Sequence, residues 1–352
     1  MKKRNNILKL SVLLISTVMI LSIIDVAAED IIELKKSSND TSTISYSGNN
    51  IQGDWVESFD FYAAGSSLHG QGGWTGWDNN PAVTAYVSES QCHTYPNSVL
   101  IGSMQNVVHQ FTGVSSKIWR FTVYLLIPSF LSGFCSLNLL NTYSHGGPYS
   151  WSTAIRINGN DGTIYSDPGG TVLSLDYGKW HLLEFIINFE ENTQSIYYVH
   201  EHGWVLLDSK SWTEGYTGGG ALNLAGVQLV GTYNSNIYFD TFTLRGIPEL
   251  EIKSIKGGLG VKAVIANTGI GNADSVYWTM FVQGGMLNLI NLTTDGDFSS
   301  LGPGEEQMIK CEQPVIFGFG KIAVGVFTAA DNGIGYAQEY KQGFQLLFLT
   351  LI

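Results

Sequence analysis

Lysine and arginine are scarce in this chain: 18 in 352 residues, against 30 aspartates and glutamates, for a net charge of −12 at pH 7. Such a surface repels phosphate backbones and anionic lipid, so nucleic acid is not an expected partner. Charged residues of all kinds make up 14%, well below the usual quarter. Cysteine is rarer still. Cys92, Cys135 and Cys311 are the only three, and none stands in a Cys-x-x-Cys pair, so no zinc site is indicated. An exported chain could join Cys92 to Cys135 and leave Cys311 single; the other reading is three unpaired buried thiols. Helical periodicity is missing after roughly the first thirty residues, which argues against a helix bundle. Reaction signatures are missing too: there is no His-Glu-x-x-His, no Gly-x-Ser-x-Gly and no Gly-x-x-x-x-Gly-Lys-Ser/Thr.

What the chain has is glycine, at 41 residues, and aromatic rings, at 12%. Many rings, frequent glycines and few charges suit β-sandwiches, whose strands are short and whose turns are many. The length allows two or three domains with proper cores. Residues 1–28 read as a signal peptide: Lys2, Lys3 and Arg4 precede an apolar run over 7–24, and Val26-Ala-Ala28 supplies small residues before a cut. The run is also long enough to be an uncleaved anchor, the only route to a membrane that the sequence offers. Either way the remainder is expected outside the cytoplasm, secreted or at the cell surface. Residues 29–50 are polar and read as a linker.

Residues 51–247 read as a first β-sandwich. Strands are expected over 55–61, 107–111, 118–126, 135–140, 151–157, 180–189, 195–200, 205–209, 222–230 and 237–244, separated by turn-forming stretches such as 158–162 and 167–170. In 180–189 one parity carries Leu183, Phe185, Ile187 and Phe189, and the other carries Glu184 and Asn188. That is a strand with one buried and one wet face. Trp180, Trp204 and Trp212 lie in or beside strands and read as core.

The order of motifs in this region carries a resemblance. Glu57-Ser-Phe-Asp-Phe61 opens it, Gly70-Gln-Gly-Gly-Trp74 follows, a Trp180 strand leads into Tyr197-Tyr198, and Ile237-Tyr-Phe-Asp-Thr-Phe242 closes it. This resembles the concanavalin A-like lectin/glucanase sandwiches of the laminin-G-like and pentraxin-like branch. The resemblance implies a jelly roll and leaves function open.

Residues 248–352 read as a smaller immunoglobulin-like β-sandwich. Strands are expected over 252–255, 261–267, 276–282, 307–311, 322–328 and 335–340, with 344–352 as a last core strand. Val264-Ile-Ala-Asn-Thr-Gly269, then Asn272-Ala-Asp, resembles the turn of adhesion-type domains of prokaryotic secreted and cell-surface proteins. Leu301-Gly-Pro-Gly-Glu305 fits the same pattern. The resemblance implies a spacer or attachment module.

Three candidate sites emerge. Glu57 and Asp240 each sit in an otherwise apolar alternating row. A buried carboxylate is costly unless paired, hydrogen-bonded or metal-bound. If the first and last strands lie side by side, these two could share calcium, which takes oxygen ligands. Trp74 and Trp77 lie on a glycine-rich stretch, where exposed rings would stack on sugar and Asn79 or Asn80 would bond its hydroxyls; the alternative is that the rings cap the sandwich. The richest stretch is 138–156, where Asn141, Tyr143, His145, Tyr149 and Trp151 surround a Gly-Gly-Pro turn read as a loop between strands. His200 and His202 give a weak metal hint.

Retaining glycanases need two carboxylates about 5–5.5 Å apart, and the alternating Glu-x-Asp-x-x-Glu of glucanase strands is not present. The leading expectation is therefore a non-catalytic exported protein that binds a carbohydrate or cell-surface polymer. A structural or adhesive protein with a protein partner is the second reading, and a glycoside hydrolase or lyase with an unrecognised acid pair the third.

Overall fold

The structure is a computed structural model that describes residues 54–128, 132–200 and 203–352, all within one compact unit, residues 48–352. The signal-peptide and linker readings and His202 lie outside the described residues. The side chain of His200 is not described. The chain is all-β: no α-helix occurs among the described residues, only short 3-10 turns at Trp77–Asn79, Pro81–Val83 and Met286–Asn288.

The first fifteen strands are β1 (Trp55–Glu57), β2 (Trp74–Gly76), β3 (Tyr86–Ser88), β4 (Ser98–Gly102), β5 (Asn106–Gln110), β6 (Ile118–Leu126), β7 (Phe134–Tyr143), β8 (Tyr149–Asn158), β9 (Thr163–Asp167), β10 (Leu173–Ser174), β11 (Trp180–Asn188), β12 (Thr193–His200), β13 (Gly203–Ser211), β14 (Gly226–Gly231) and β15 (Asn236–Gly246). One sheet runs β13-β12-β11-β6-β15-β4-β3, with β1 on β15; the other runs β10-β9-β8-β7-β14-β5-β2. All the pairings are antiparallel.

Alternation explains why the two sheets face each other. β6 turns Phe121, Val123 and Leu125 inward, and β11 turns Leu183, Phe185 and Ile187 inward. They meet Leu137 and Leu139 of β7, Ile155 and Ile157 of β8, and Val227 and Leu229 of β14 in one buried cluster. Burying each such side chain contributes about 1.5–3 kcal/mol.

The remaining strands are β16 (Leu250–Lys256), β17 (Lys262–Asn267), β18 (Ala273–Gly284), β19 (Ile290–Leu301), β20 (Glu306–Lys310), β21 (Gly318–Ala330), β22 (Tyr336–Leu347) and β23 (Leu349–Leu351). They form a β16-β17-β20 sheet and a β19-β18-β21-β22-β23 sheet around a second cluster with Val276, Met280, Val324 and Val326.

Several expectations need correction. The strand expected over 55–61 ends at Glu57, because Phe59 takes φ 61° and starts a turn that buries Phe59 and leaves Phe61 81% exposed. Trp212 is core, whereas Trp204 is 59% exposed on edge strand β13. The segment 344–352 is an edge hairpin with Leu347, Phe348 and Leu351 exposed, rather than a core strand. β19 is missed altogether: its Thr, Asp and Ser residues leave no apolar row to read. All three cysteines are free thiols, Cys135 and Cys311 buried and Cys92 half-buried.

Candidate functional site

The stretch 138–156 is a hairpin rather than a long loop. β7 runs to Tyr143 and β8 starts at Tyr149, so only Ser144 to Pro148 turn the chain. Gly146 and Gly147 take φ 78° and 93°, a region costly for other residues, and the Gly147 N–H closes the turn on the Ser144 carbonyl at 2.9 Å. Tyr143 and Tyr149 face each other as the last strand pair. Register shifts around Leu140 place Trp151 opposite it. Bulges of this kind re-aim side chains.

Trp151 lies on the sheet face that points away from the core. Its indole N–H donates to Gln228 Oε1 at 2.8 Å. Asn138 Nδ2 donates to the same oxygen at 2.9 Å, and Gln228 Nε2 donates to Asn106 Oδ1 at 2.9 Å. Thr75, Val108, Gln228, Asn138 and Ala154 form one cross-strand row on this face.

Trp77 reaches the hairpin from β2, two residues beyond Thr75. Its ring stacks on Trp151 at 13° and 5.9 Å between centroids, and it lies 4.8 Å from Tyr143 and 4.9 Å from Tyr149. All four rings are partly exposed. Asp78 and Asn79 follow with φ 55° and 60°. Asp and Asn tolerate this left-handed region because their short polar side chains bond locally. The turn aims the Asp78 backbone N–H at the Tyr143 hydroxyl, 3.1 Å away. The Asp78 carboxylate accepts the Tyr149 hydroxyl at 2.6–2.7 Å and the Gly146 N–H at 3.0 Å. Those donors hold the Asp78 carboxyl below the usual carboxylate range, the Tyr149 hydroxyl first. The same bond pushes Tyr149 up to about 12. His145 sits exposed at the tip, its Nδ1 3.2 Å from the Tyr143 hydroxyl and its Nε2 3.3 Å from Gln110 Nε2.

Trp77, Tyr143, His145, Tyr149 and Trp151 therefore come together, with Asn79 exposed beside them. Trp74 does not join: it is fully buried in the core. Asn141 is 1% exposed, with neither amide atom bonded to a protein partner, and packs against Gly220. It offers nothing to solvent. Asp78 and Gln228 organise the site and went unremarked in the sequence. Asp78 carried a faint signal, as a carboxylate between Trp77 and Asn79. Gln228 carried none, because its partners are 77, 90 and 122 residues away.

Glu57 and Asp240 share no partner. Glu57 accepts the Phe59 N–H at 2.8 Å and the Tyr62 hydroxyl at 2.7 Å. Asp240 accepts the N–H groups of His93 at 2.7 Å, Thr94 at 2.9 Å and Thr241 at 2.6 Å. Donors of the chain itself offset the burial of each carboxylate. Burial still pushes Asp240 up to about 6 against the pull of those donors. Among the described residues no group of three or more His, Cys, Asp or Glu side chains is arranged around a metal position.

No family model matches the chain, and no curated protein matches it. Solved structures share its shape in part. Lectin II from Ulex europaeus is 9% identical, with a TM-score of 0.38, covering 55% of this chain and 98% of the lectin. A GH131 β-glucanase catalytic domain from Podospora anserina is 11% identical, with a TM-score of 0.33, covering 49% of this chain and 85% of the glucanase. A sialidase is 10% identical over 56% of this chain, with a TM-score of 0.37, and the chain spans only 18% of that protein's length.

Proposed function

We propose that this chain is a non-catalytic binding protein that recognises a carbohydrate or cell-surface polymer outside the cytoplasm. The observation that supports it is the gathering of Trp77, Tyr143, Tyr149 and Trp151 into one partly exposed cluster fixed by Asp78. Rings held by hydrogen bonds lose little freedom when a ligand stacks on them. The apolar face of a sugar suits the rings, and its hydroxyls suit Asn79, His145 and the tyrosine hydroxyls. The Asp78 carboxylate is the acceptor that fixes Tyr149 and Gly146 in place.

A glycan array probed with the full chain, with calcium and with a chelator, tests this reading and the calcium expectation separately. Binding that disappears in Trp77→Ala and Trp151→Ala supports it. A folded protein silent across the array removes it and leaves the protein-partner reading.

A further inference from the structure

The second sandwich presents a sheet face whose exposed parity is rich in aromatic rings. β18, β21 and β22 are neighbours, and alternation sends Val276, Met280, Val282, Val324 and Val326 into the core. The opposite parity carries Tyr277, Phe281, Phe327, Tyr336 and Tyr340 around Gly325. Gly325 stands beside Phe281 on one strand and Tyr340 on the other. The Phe281 ring lies over Gly325 so closely that a Cβ there would collide with it. The Phe281 and Tyr340 rings are tilted by 52° to each other, and those of Phe327 and Tyr336 by 32°. Phe281 and Tyr340 are 5.7 Å apart between centroids, and Phe327 and Tyr336 are 5.1 Å apart. Tyr336 and Tyr340 are 59% and 53% exposed. From Tyr277 to Phe281 the strand advances about 14 Å, at some 3.4 Å per residue.

Polar groups fill the gaps between the rings. Gln338 and Gln342 alternate with the tyrosines on β22, and Gln283 continues the row on β18. On β19 the same face carries Asp295 and Asp297, opposite Thr279 and Tyr277, and Thr279 donates to Asp295 at 2.7 Å. No lysine or arginine lies on this face in the rows from Tyr277 to Gln283; Lys321, paired with Phe344, stands one row beyond them. With two carboxylates against that one cation, the ring-bearing rows disfavour a polyanion such as nucleic acid or a sulfated glycan. The rings offer flat apolar contact, and the amides offer both donors and acceptors.

We propose that this face is a second binding platform, separate from the hairpin cluster, for a neutral polysaccharide chain lying across β18, β21 and β22. The rings stack on successive sugar units, and the amides between them take the hydroxyls. A neutral polymer suffers no repulsion from Asp295 and Asp297.

The test uses the full chain with Trp77→Ala and Trp151→Ala, so that the hairpin cluster contributes nothing. Its retardation is measured in native gels cast with a mixed-linkage β-glucan, an arabinoxylan, a galactomannan or heparin. The expected result is retardation in at least one neutral gel and none in heparin. Adding Tyr336→Ser and Tyr340→Ser weakens that retardation about tenfold, with the protein still fully folded at the gel temperature and only a small drop in melting temperature from the two lost ring pairs. Tyr277→Ser, on a strand paired on both sides, gives a second readout of the same loss. Free migration in every neutral gel overturns the platform and leaves the hairpin site standing, as does retardation that survives all three substitutions. Sedimentation completes the test: if the tyrosine variants convert a dimer to a monomer and leave retardation unchanged, the face is a self-association surface and the proposal is wrong.

Discussion

Tyr149 donates its hydroxyl to the Asp78 carboxylate at 2.6 Å across 71 residues of chain. That bond ties the turn after β2 to the end of the β7–β8 hairpin, and the ring cluster depends on both. Asp78→Asn and Tyr149→Phe are each expected to reduce ligand binding about tenfold while changing the melting temperature little. The double variant should lose little more than either single one, since both remove one bond. Losses that simply add would show that the two residues act separately.

The same bond has a pH signature. Asp78 sits below its ordinary value of 3.8, so the tie is complete above that value. It is lost only as pH falls through the lower value held in the folded protein. The difference in tryptophan fluorescence between the native protein and Asp78→Asn should therefore stay constant from neutral pH down to about 5 and change only in stronger acid. A transition already present between neutral pH and 5 would contradict the assignment.

Trp74 and Trp77 are three residues apart and have opposite fates. Trp74 is fully buried against Trp55, Phe59 and Phe242, so Trp74→Ala should cost about 3–5 kcal/mol in urea unfolding. Trp77→Ala loses only ring contacts at a partly exposed position and should cost about 1–2 kcal/mol. Binding should fail in Trp77→Ala at concentrations where the protein is fully folded. Equal destabilisation by both would place Trp77 in the core.

Asp240 gives a second pH effect, of opposite sense to Asp78. Its value in the folded protein is raised from 3.8 to about 6, chiefly by burial. Its contribution to stability is therefore complete below 3.8 and declines as pH rises through about 6. His109, held down to about 4 by burial, acts in the opposite direction. The quantity to follow is therefore the difference in melting temperature between the native protein and Asp240→Asn. That difference should grow in favour of the native protein as pH falls from 7 towards 4. A difference independent of pH would show that Asp240 does not titrate in this window.

Asn141 and Gly220 form a tight pair. A Cβ at Gly220 would run into the Asn141 amide, which is buried and has no protein partner. Gly220→Ala should cost about 1–3 kcal/mol. Asn141→Ala in the same chain should recover part of it by removing the clash and an unsatisfied group. No recovery in the double variant would locate the strain elsewhere.

Much of the architecture was legible because one parity of each strand had to be apolar. The rows Leu183, Phe185, Ile187 and Val276, Met280, Val282 point inward as their periodicity requires. The rule failed where it had nothing to act on. β19 alternates among polar residues, Phe59 leaves its strand through a positive φ, and Trp204 sits on an edge strand with no sheet beyond it. The stretch 143–151 was legible as ring-rich from its composition, but not as a hairpin tip.

The sequence by itself determined the all-β character, the inward rows and the two ring-bearing segments, because local alternation settles which face of a strand leaves water. Only the tertiary structure decided that Trp77 would meet Trp151, that Asp78 would hold Tyr149, and that Glu57 and Asp240 would each find donors of their own. Those contacts span up to 147 residues. They are set by sheet order, bulges and register, which come from the packing of the whole molecule rather than from any one stretch.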